Sequence, residues 1–317
     1  MSSMRIIKRG AGARAGAAST AGASVVVPAP SAATPTITLQ GVVWYFMRVS
    51  GLLMLALVLG HLFIMHYLHA PSQTTAAFVT ARWANLLWQS FDWMLLMLAL
   101  FHGLAGLQAI ARDYLTTRMR RLASATVVGT LAFVFFTLGT ITIVSFNPSA
   151  VGTGRGPLSG QTWIVVVLDG LLDLLAVVTY AGAAAVVGYV TYRLARGLSL
   201  RARSMPGQWA WALHRLTGIG IVGFLLVHVL DIMLLPLAPD LYSRTIARYA
   251  SSFLIPMEVA LVGAVLYHAL NGVRLMVVEA WQRRGGRRLQ VQLVGVVAAL
   301  TVVLLLPSIV VLVRAAR

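Results

Sequence analysis

The chain has no cysteine, a single lysine and only eight acidic residues among 317. Each scarcity closes a class of function. Without cysteine there are no disulfides, no thiolate metal sites, no iron–sulfur ligands and no C-x-x-C-H attachment of a c-type haem, so any haem is held non-covalently. Lys8, the one lysine, precedes every apolar segment, which excludes a retinal-type Schiff base within a membrane and a rhodopsin-like reading with it. Charged residues make up 10% of the chain, far below the roughly 25% of soluble domains. What is present is apolar: 59% hydrophobic residues and a mean hydropathy of +0.85. This is the composition of a membrane protein.

Residues 1–40 are rich in Ala, Ser, Gly and Pro, carry Arg5, Lys8, Arg9 and Arg14, and hold no acid. They read as a disordered basic N-terminal tail, and an organelle transit peptide shares that composition. Beyond it, apolar segments near 41–69, 86–113, 122–146, 163–193, 208–235, 253–281 and 290–314 are long enough to cross roughly 30 Å of hydrocarbon at about 1.5 Å per residue. Such segments must satisfy their backbone internally and none alternates in the manner of a barrel strand, so they are helices. The expected fold is an all-α membrane protein with seven transmembrane helices.

Charge placement orients it. The tail and the turns at 112–121, 193–203 and 283–288 carry 16 basic residues on one face, against 6 on the other. Strict alternation of this kind predicts a cytoplasmic N-terminus and a C-terminus outside; the expected location is a bacterial inner membrane. It also accounts for the net charge of +17 without nucleic acid; the basic face suits anionic membrane lipid or an acidic soluble partner.

The segments are not independent. Trp44, Arg48, Gly51 and His61 return as Trp211, Arg215, Gly218 and His228, each displaced by 167; His102, Gly106 and Asp113 return as His268, Gly272 and Glu279, displaced by 166. The chain therefore divides into a three-helix repeat at 41–146, a linker at 147–207 carrying the 163–193 helix, and a second three-helix repeat at 208–317. Because one span intervenes, the two repeats are parallel, related by an axis along the membrane normal. Equivalent residues then sit at equal depth.

Equal depth gives the histidines a role. A b-type haem in a four-helix core needs two imidazoles facing its iron, and His102/His268 and His61/His228 form two such pairs, predicting two haem b groups. His102 lies about 16 Å along its helix from Asp113 and His61 about 20 Å from Arg48. If Arg48 and Arg215 root a turn deeper than the acidic markers, as arginines reaching haem propionates would, the two levels separate. Gly106 and Gly272 lie one turn after a histidine and leave room for a flat macrocycle. His66 and His69 lack counterparts in the repeat and read as interfacial.

At the cytoplasmic ends, Tyr114, Arg215 and one of Asp113 or His214 could supply the donors and proton source of a quinone headgroup. An interfacial anchor belt explains Tyr and Arg at span ends equally well. Asp169 and Asp173, within the linker helix, read either as a proton path or as interfacial snorkelling groups. Asp92, Asp231 and Glu258 gather at the outer ends.

H214-R-L-T-G218, followed by Y267-H-A-L-N-G-V-R274, resembles the H-R-x-[ST]-G and H-x3-G-x-R motifs of the larger membrane anchor of the succinate:quinone oxidoreductases, succinate dehydrogenase and fumarate reductase. F101-H-G-L-A-G106 ending in D113-Y114 resembles the smaller anchor. The chain is thus similar to both anchors fused in one polypeptide, a cytochrome b subunit of respiratory complex II. The resemblance implies that His102 and His268 ligate the haem nearer an iron–sulfur subunit, and His61 and His228 the farther one. It further implies that Arg48, Arg215 and Arg274 hold propionates, and that Tyr114, Asp113, Arg215, His214 and Trp211 border a site for menaquinone or ubiquinone. Trp211 stands where the family has a serine. Succinate chemistry would belong to a flavoprotein subunit, joined through the iron–sulfur subunit, so this chain carries no catalytic residue of its own. Two other classes compete: another quinol-linked dihaem cytochrome b, in which each ligand-bearing helix carries a His-x13-His, a spacing that occurs here once, from His214 to His228, without a counterpart in the other half, and a haem-free transporter of parallel repeats.

Overall fold

A computed structural model describes residues 38–152, 156–158, 160–197, 206–248, 255–281 and 287–315. Most of the expected 1–40 tail, and parts of the basic turns at 193–203 and 283–288, lie outside the described residues.

Every described element is helical. Helix α1 (Leu39–Leu62) runs on through a π-helical turn, Phe63–Leu68. Then come α2 (Ala76–Trp83), α3 (Leu86–Tyr114), α4 (Arg118–Val144), α5 (Pro148–Gly152) and α6 (Thr162–Gly197). The second half holds α7 (Pro206–Leu237), α8 (Pro239–Arg248), α9 (Ile255–Ala280) and α10 (Arg287–Ala315). Among the described residues, six helices are long and apolar enough to cross a membrane: α1 with its π turn, α3, α4, α7, α9 and α10. The seventh span, expected at 163–193, falls within α6, a 36-residue helix many of whose side chains lie outside the described set.

Local chemistry sets the helix starts. Thr75, Asn85 and Thr117 are N-caps whose side-chain oxygens accept from the backbone N–H groups of Phe78, Leu87 and Arg120, satisfying donors that a first turn leaves free. Asn147 does the same for Ser149 before α5. Short helices at the breaks escape a search for long apolar runs.

Four helices form a closed ring: α1 packs on α3, α3 on α7, α7 on α9, and α9 back on α1. Around it, α4 leans on α3 and α7, α6 on α7, and α10 on α9. Leu96, Leu100 and Leu104 of α3 meet Phe135 and Ile143 of α4 and Val222 and Val229 of α7 in one apolar cluster, while Leu62, Val262 and Leu266 join α1 to α9. One end of the bundle is capped by α2, α5 and α8, whose Val79, Trp83, Val151, Leu241, Tyr242 and Ile246 are buried. There the Tyr242 hydroxyl donates to the Thr74 carbonyl at 3.0 Å, and burial pushes its phenol above the ordinary range. Arg248 of α8 binds Asp169 at 2.7 Å and Asp173 at 2.8 Å on α6. The two aspartates are thus an ion-paired clamp on the capping helix.

Candidate functional site: a histidine-lined cavity

The ring encloses a cavity of about 620 Å³, lined mainly by apolar side chains and by six of the seven histidines: His61, His66, His102, His214, His228 and His268. All four imidazoles expected to act as ligands face it, one from each ring helix. His69 stays outside, its Nδ1 at 3.1 Å from the Ile64 carbonyl. His66, expected at an interface, lines the cavity instead.

Toward the capped end, the rings of His61 and His228 have centroids 6.3 Å apart and planes at 78°. With metal–nitrogen bonds of about 2.0–2.1 Å, two imidazoles facing one metal ion from opposite sides would have ring centres on the order of 6 Å apart. Behind His61, its Nδ1 lies 3.7 Å from Asp92 Oδ1. That carboxylate accepts from Arg82 Nε and Nη2, at 2.9 and 3.0 Å, and from Trp83 Nε1 at 2.9 Å. Phe224, one turn before His228, lies nearly parallel to its ring at 5.3 Å.

The other level is built from hydroxyls and carbonyls. Ser50 Oγ lies 2.9 Å from His102 Nδ1, and Thr217 Oγ1 lies 3.4 Å from His268 Nδ1. His268 Nδ1 also meets the His214 carbonyl at 2.9 Å, and the His214 ring stacks on that of His268 with centroids 3.9 Å apart. Gly51 and Gly218 abut the His102 and His268 rings. These contacts fix the spacing that the sequence left loose. His61 sits beside Asp92 and His102 beside Ser50, so the levels are ten residues apart on α3 and eleven on α1, about 15 Å.

Arg48 and Arg215 are rooted near the His102 and His268 level and reach back to the ends of partner helices. Arg48 bonds to Glu279 of α9, and Arg215 to Asp113 of α3 at 2.5 Å. Each guanidinium also covers a tryptophan one turn earlier, Arg48 over Trp44 at 3.4 Å and Arg215 over Trp211 at 3.8 Å. The Trp211 ring, at the position where the resemblance implies a serine, thus supplies a cation–π contact to Arg215. Arg48, Arg215, His214 and Glu279 line the cavity; Asp113, Tyr114 and Trp211 do not, and Asp113 and Trp211 join it through Arg215. Arg274 is not brought to the cavity. It is 5% exposed, donates to Asn271 Oδ1 at 3.3 Å, and lies against Gly207 at the start of α7.

Among the described residues no three histidine, aspartate or glutamate side chains converge in a way that could hold a metal ion. Among the described residues, a metal ion here would find at most two such side chains together. Among the described residues, the buried Nδ1 atoms of His61, His66 and His214 have no hydrogen-bond partner, nor has either oxygen of Glu258.

The family of succinate dehydrogenase/fumarate reductase transmembrane subunits matches residues 30–139 and 193–305, more than half of the chain. The chain belongs to this family. Among its relatives is the succinate dehydrogenase 2 membrane subunit SdhC of Mycobacterium tuberculosis, 38% identical over 106 residues that are 33% of this chain and 76% of the relative. A succinate dehydrogenase hydrophobic membrane anchor subunit of Halobacterium salinarum is 32% identical over 74 residues, 23% of this chain and 57% of that relative. No solved structure matches. Within the family assignment, the chain is a multi-pass membrane subunit whose conspicuous internal feature is the imidazole cavity. Sequence reasoning missed Ser50, Thr217 and the placement of His66. The first two were findable, because Ser50 and Thr217 share the 167-residue offset but differ in letter. Asp92 and Glu258 likewise share the 166-residue offset.

Proposed function

We propose that the chain is the fused, two-repeat membrane anchor of a succinate:quinone oxidoreductase, holding two b-type haems that carry electrons between an iron–sulfur subunit and membrane quinone. The observation that carries this reading is the pair of imidazole levels about 15 Å apart inside one four-helix ring, each level drawing one histidine from each half of the chain. Fusion is supported by length, since the 106 aligned residues are 76% of the mycobacterial relative but 33% of this chain. It is supported again by the two stretches matched by the family, each holding one set of repeated residues. The parallel two-fold arrangement is supported by the ion pairs: Arg48 and Arg215 are repeat equivalents, Glu279 and Asp113 likewise, and each arginine bonds to the acid of the other half.

The residues suit haem. Each level offers two imidazoles and, among the described residues, no third candidate ligand, which suits a group that brings its own remaining donors; the His61 and His228 ring centres are 6.3 Å apart. His102 with His268, and His61 with His228, would be the residues that hold haem iron. A bound haem supplies reversible one-electron chemistry. Arg48 and Arg215 would hold propionates through their rigid N–H forks; Arg274 has turned to Asn271 and the start of α7. For a menaquinone or ubiquinone headgroup, Arg215 and His214 offer N–H donors at the cavity's end opposite the cap. Asp113, bonded to Arg215 and 52% exposed, is placed to exchange protons with water, with Tyr114 next to it and Trp211 setting the guanidinium plane. Succinate or fumarate would be handled by a flavoprotein subunit behind the iron–sulfur subunit. The basic face, with the N-terminus, would lie on the cytoplasmic side of a bacterial inner membrane and the C-terminus outside. The seventh span would be α6.

The test is the visible spectrum of the purified complex. It is expected to show b-type absorption at two haems per copy of this chain, and His61→Ala or His228→Ala to remove one haem while the other keeps its spectrum. A single haem in a fully loaded wild type overturns the two-haem reading, and no Soret band overturns haem altogether.

A further inference from the structure

The two halves hold the lower pair of histidines by the same device. Ser50 and Thr217 occupy equivalent positions, each immediately before a glycine that abuts an imidazole. Each hydroxyl donates to the carbonyl four residues back: Ser50 to Phe46 at 2.6 Å, Thr217 to Leu213 at 2.8 Å. Phe46 and Leu213 are themselves equivalents. A hydroxyl has one proton. With that proton committed to its own helix, it can only accept from the imidazole, so the ring nitrogen it meets must carry the hydrogen.

We propose that Ser50 and Thr217 are positioning residues that fix the tautomer and rotation of His102 and His268, each leaving Nε2 unprotonated as a ligand directed into the cavity. This rests on the haem reading above and adds residues to it. The two sides are not equally dependent on their hydroxyls. His102 Nδ1 meets Ser50 alone among its described hydrogen-bond partners, at 2.9 Å, whereas His268 Nδ1 meets Thr217 at 3.4 Å and the His214 carbonyl at 2.9 Å. A carbonyl can only accept, so His268 keeps its tautomer without Thr217. Ser50 therefore carries more of its ring's orientation than Thr217 does.

An acceptor behind the ligating ring raises its basicity and favours the oxidised metal. The test uses the purified complex with Ser50→Ala, Thr217→Val and the conservative exchanges Ser50→Thr and Thr217→Ser. Readouts are the midpoint potential and the paramagnetic resonance g-values of each haem, and transfer of haem to an apoprotein acceptor. Ser50→Ala is expected to raise the potential of the His102/His268 haem and to weaken its retention about 10–100-fold. Thr217→Val should shift it less, both exchanges should keep wild-type values, and the His61/His228 haem should stay unchanged in all four. That second haem reports whether the fold is intact; should Ser50→Ala not assemble, the nearly isosteric Ser50→Cys replaces it, with the same shift expected. Unaltered potential and g-values with Ser50→Ala or Ser50→Cys overturn the inference, as does a larger effect of Thr217→Val or an equal drift of both haems. A wild type without b-type absorption instead overturns the haem reading itself.

Discussion

Gly51 and Gly218 are equivalents in the repeat, yet the space over them differs. A Cβ on Gly51 would sit 3.5 Å from His102 Cε1, an ordinary contact, whereas on Gly218 it would sit 2.9 Å from His268 Cε1 and 3.4 Å from its Nδ1. The imidazole at Gly218 is held from behind by the His214 carbonyl and stacked against the His214 ring, so it cannot yield without losing its bond. On the proposed haem reading, Gly218→Ala is therefore expected to disturb the spectrum of the haem assigned to His102/His268 and leave the other intact, while Gly51→Ala keeps both; difference spectra of the two variants check it. The candidate ligands themselves were legible as letters, because four histidines at matched offsets stand out in a chain with seven. Which way a side chain turns was not. Arg274 matches a propionate-binding pattern and points at Asn271, and His66 has no repeat partner and faces the cavity.

At the scale of helices, the π-helical turn after α1 accounts for His66. In a regular α-helix a residue five places on is rotated about 140° from its predecessor, which would turn His66 away from the face of His61; a wider turn carries it back. The capping elements depend on one close approach. A Cβ on Gly156 would collide with the Leu237 carbonyl oxygen at the end of α7, the same oxygen that accepts from Leu158 N–H at 3.1 Å. Backbone cannot retreat as a side chain tip can, so Gly156→Ala is expected to cost about 1–3 kcal/mol. A lower thermal midpoint of the complex, with haem spectra at room temperature unchanged, would register it. The long helices were foreseeable to within a few residues of their ends, since an apolar run of membrane length has one backbone solution. The short helices α2, α5 and α8 were not, because caps such as Thr75 and Asn147 act over one turn and leave no long period.

For the whole molecule, the ring is closed only by contacts between halves: α1 with α9 and α3 with α7. Each imidazole level takes one histidine from either half, and the ion pairs cross in the same way. Residues 1–146 expressed alone are thus expected to give no stable b-type spectrum. Co-expressed with residues 147–317 they should recover both haems, since the joining segment adds no imidazole to the cavity. Spectra of membranes carrying one or both pieces decide this, and a full spectrum from the first piece alone would contradict it.

Membrane residence, the long helices and the recurrence of histidines at matched offsets were set by linear properties, hydropathy and residue spacing, and needed no coordinates. Tertiary packing decided the rest. The 15 Å between imidazole levels, the hydroxyls behind His102 and His268, the crossed arginine pairs and the turning away of Arg274 all depend on how helices rotate and cross. Spacing along one helix fixes where a side chain stands on that helix. Only the neighbouring helix, sliding and turning until its own side chains fit, determines what that side chain meets.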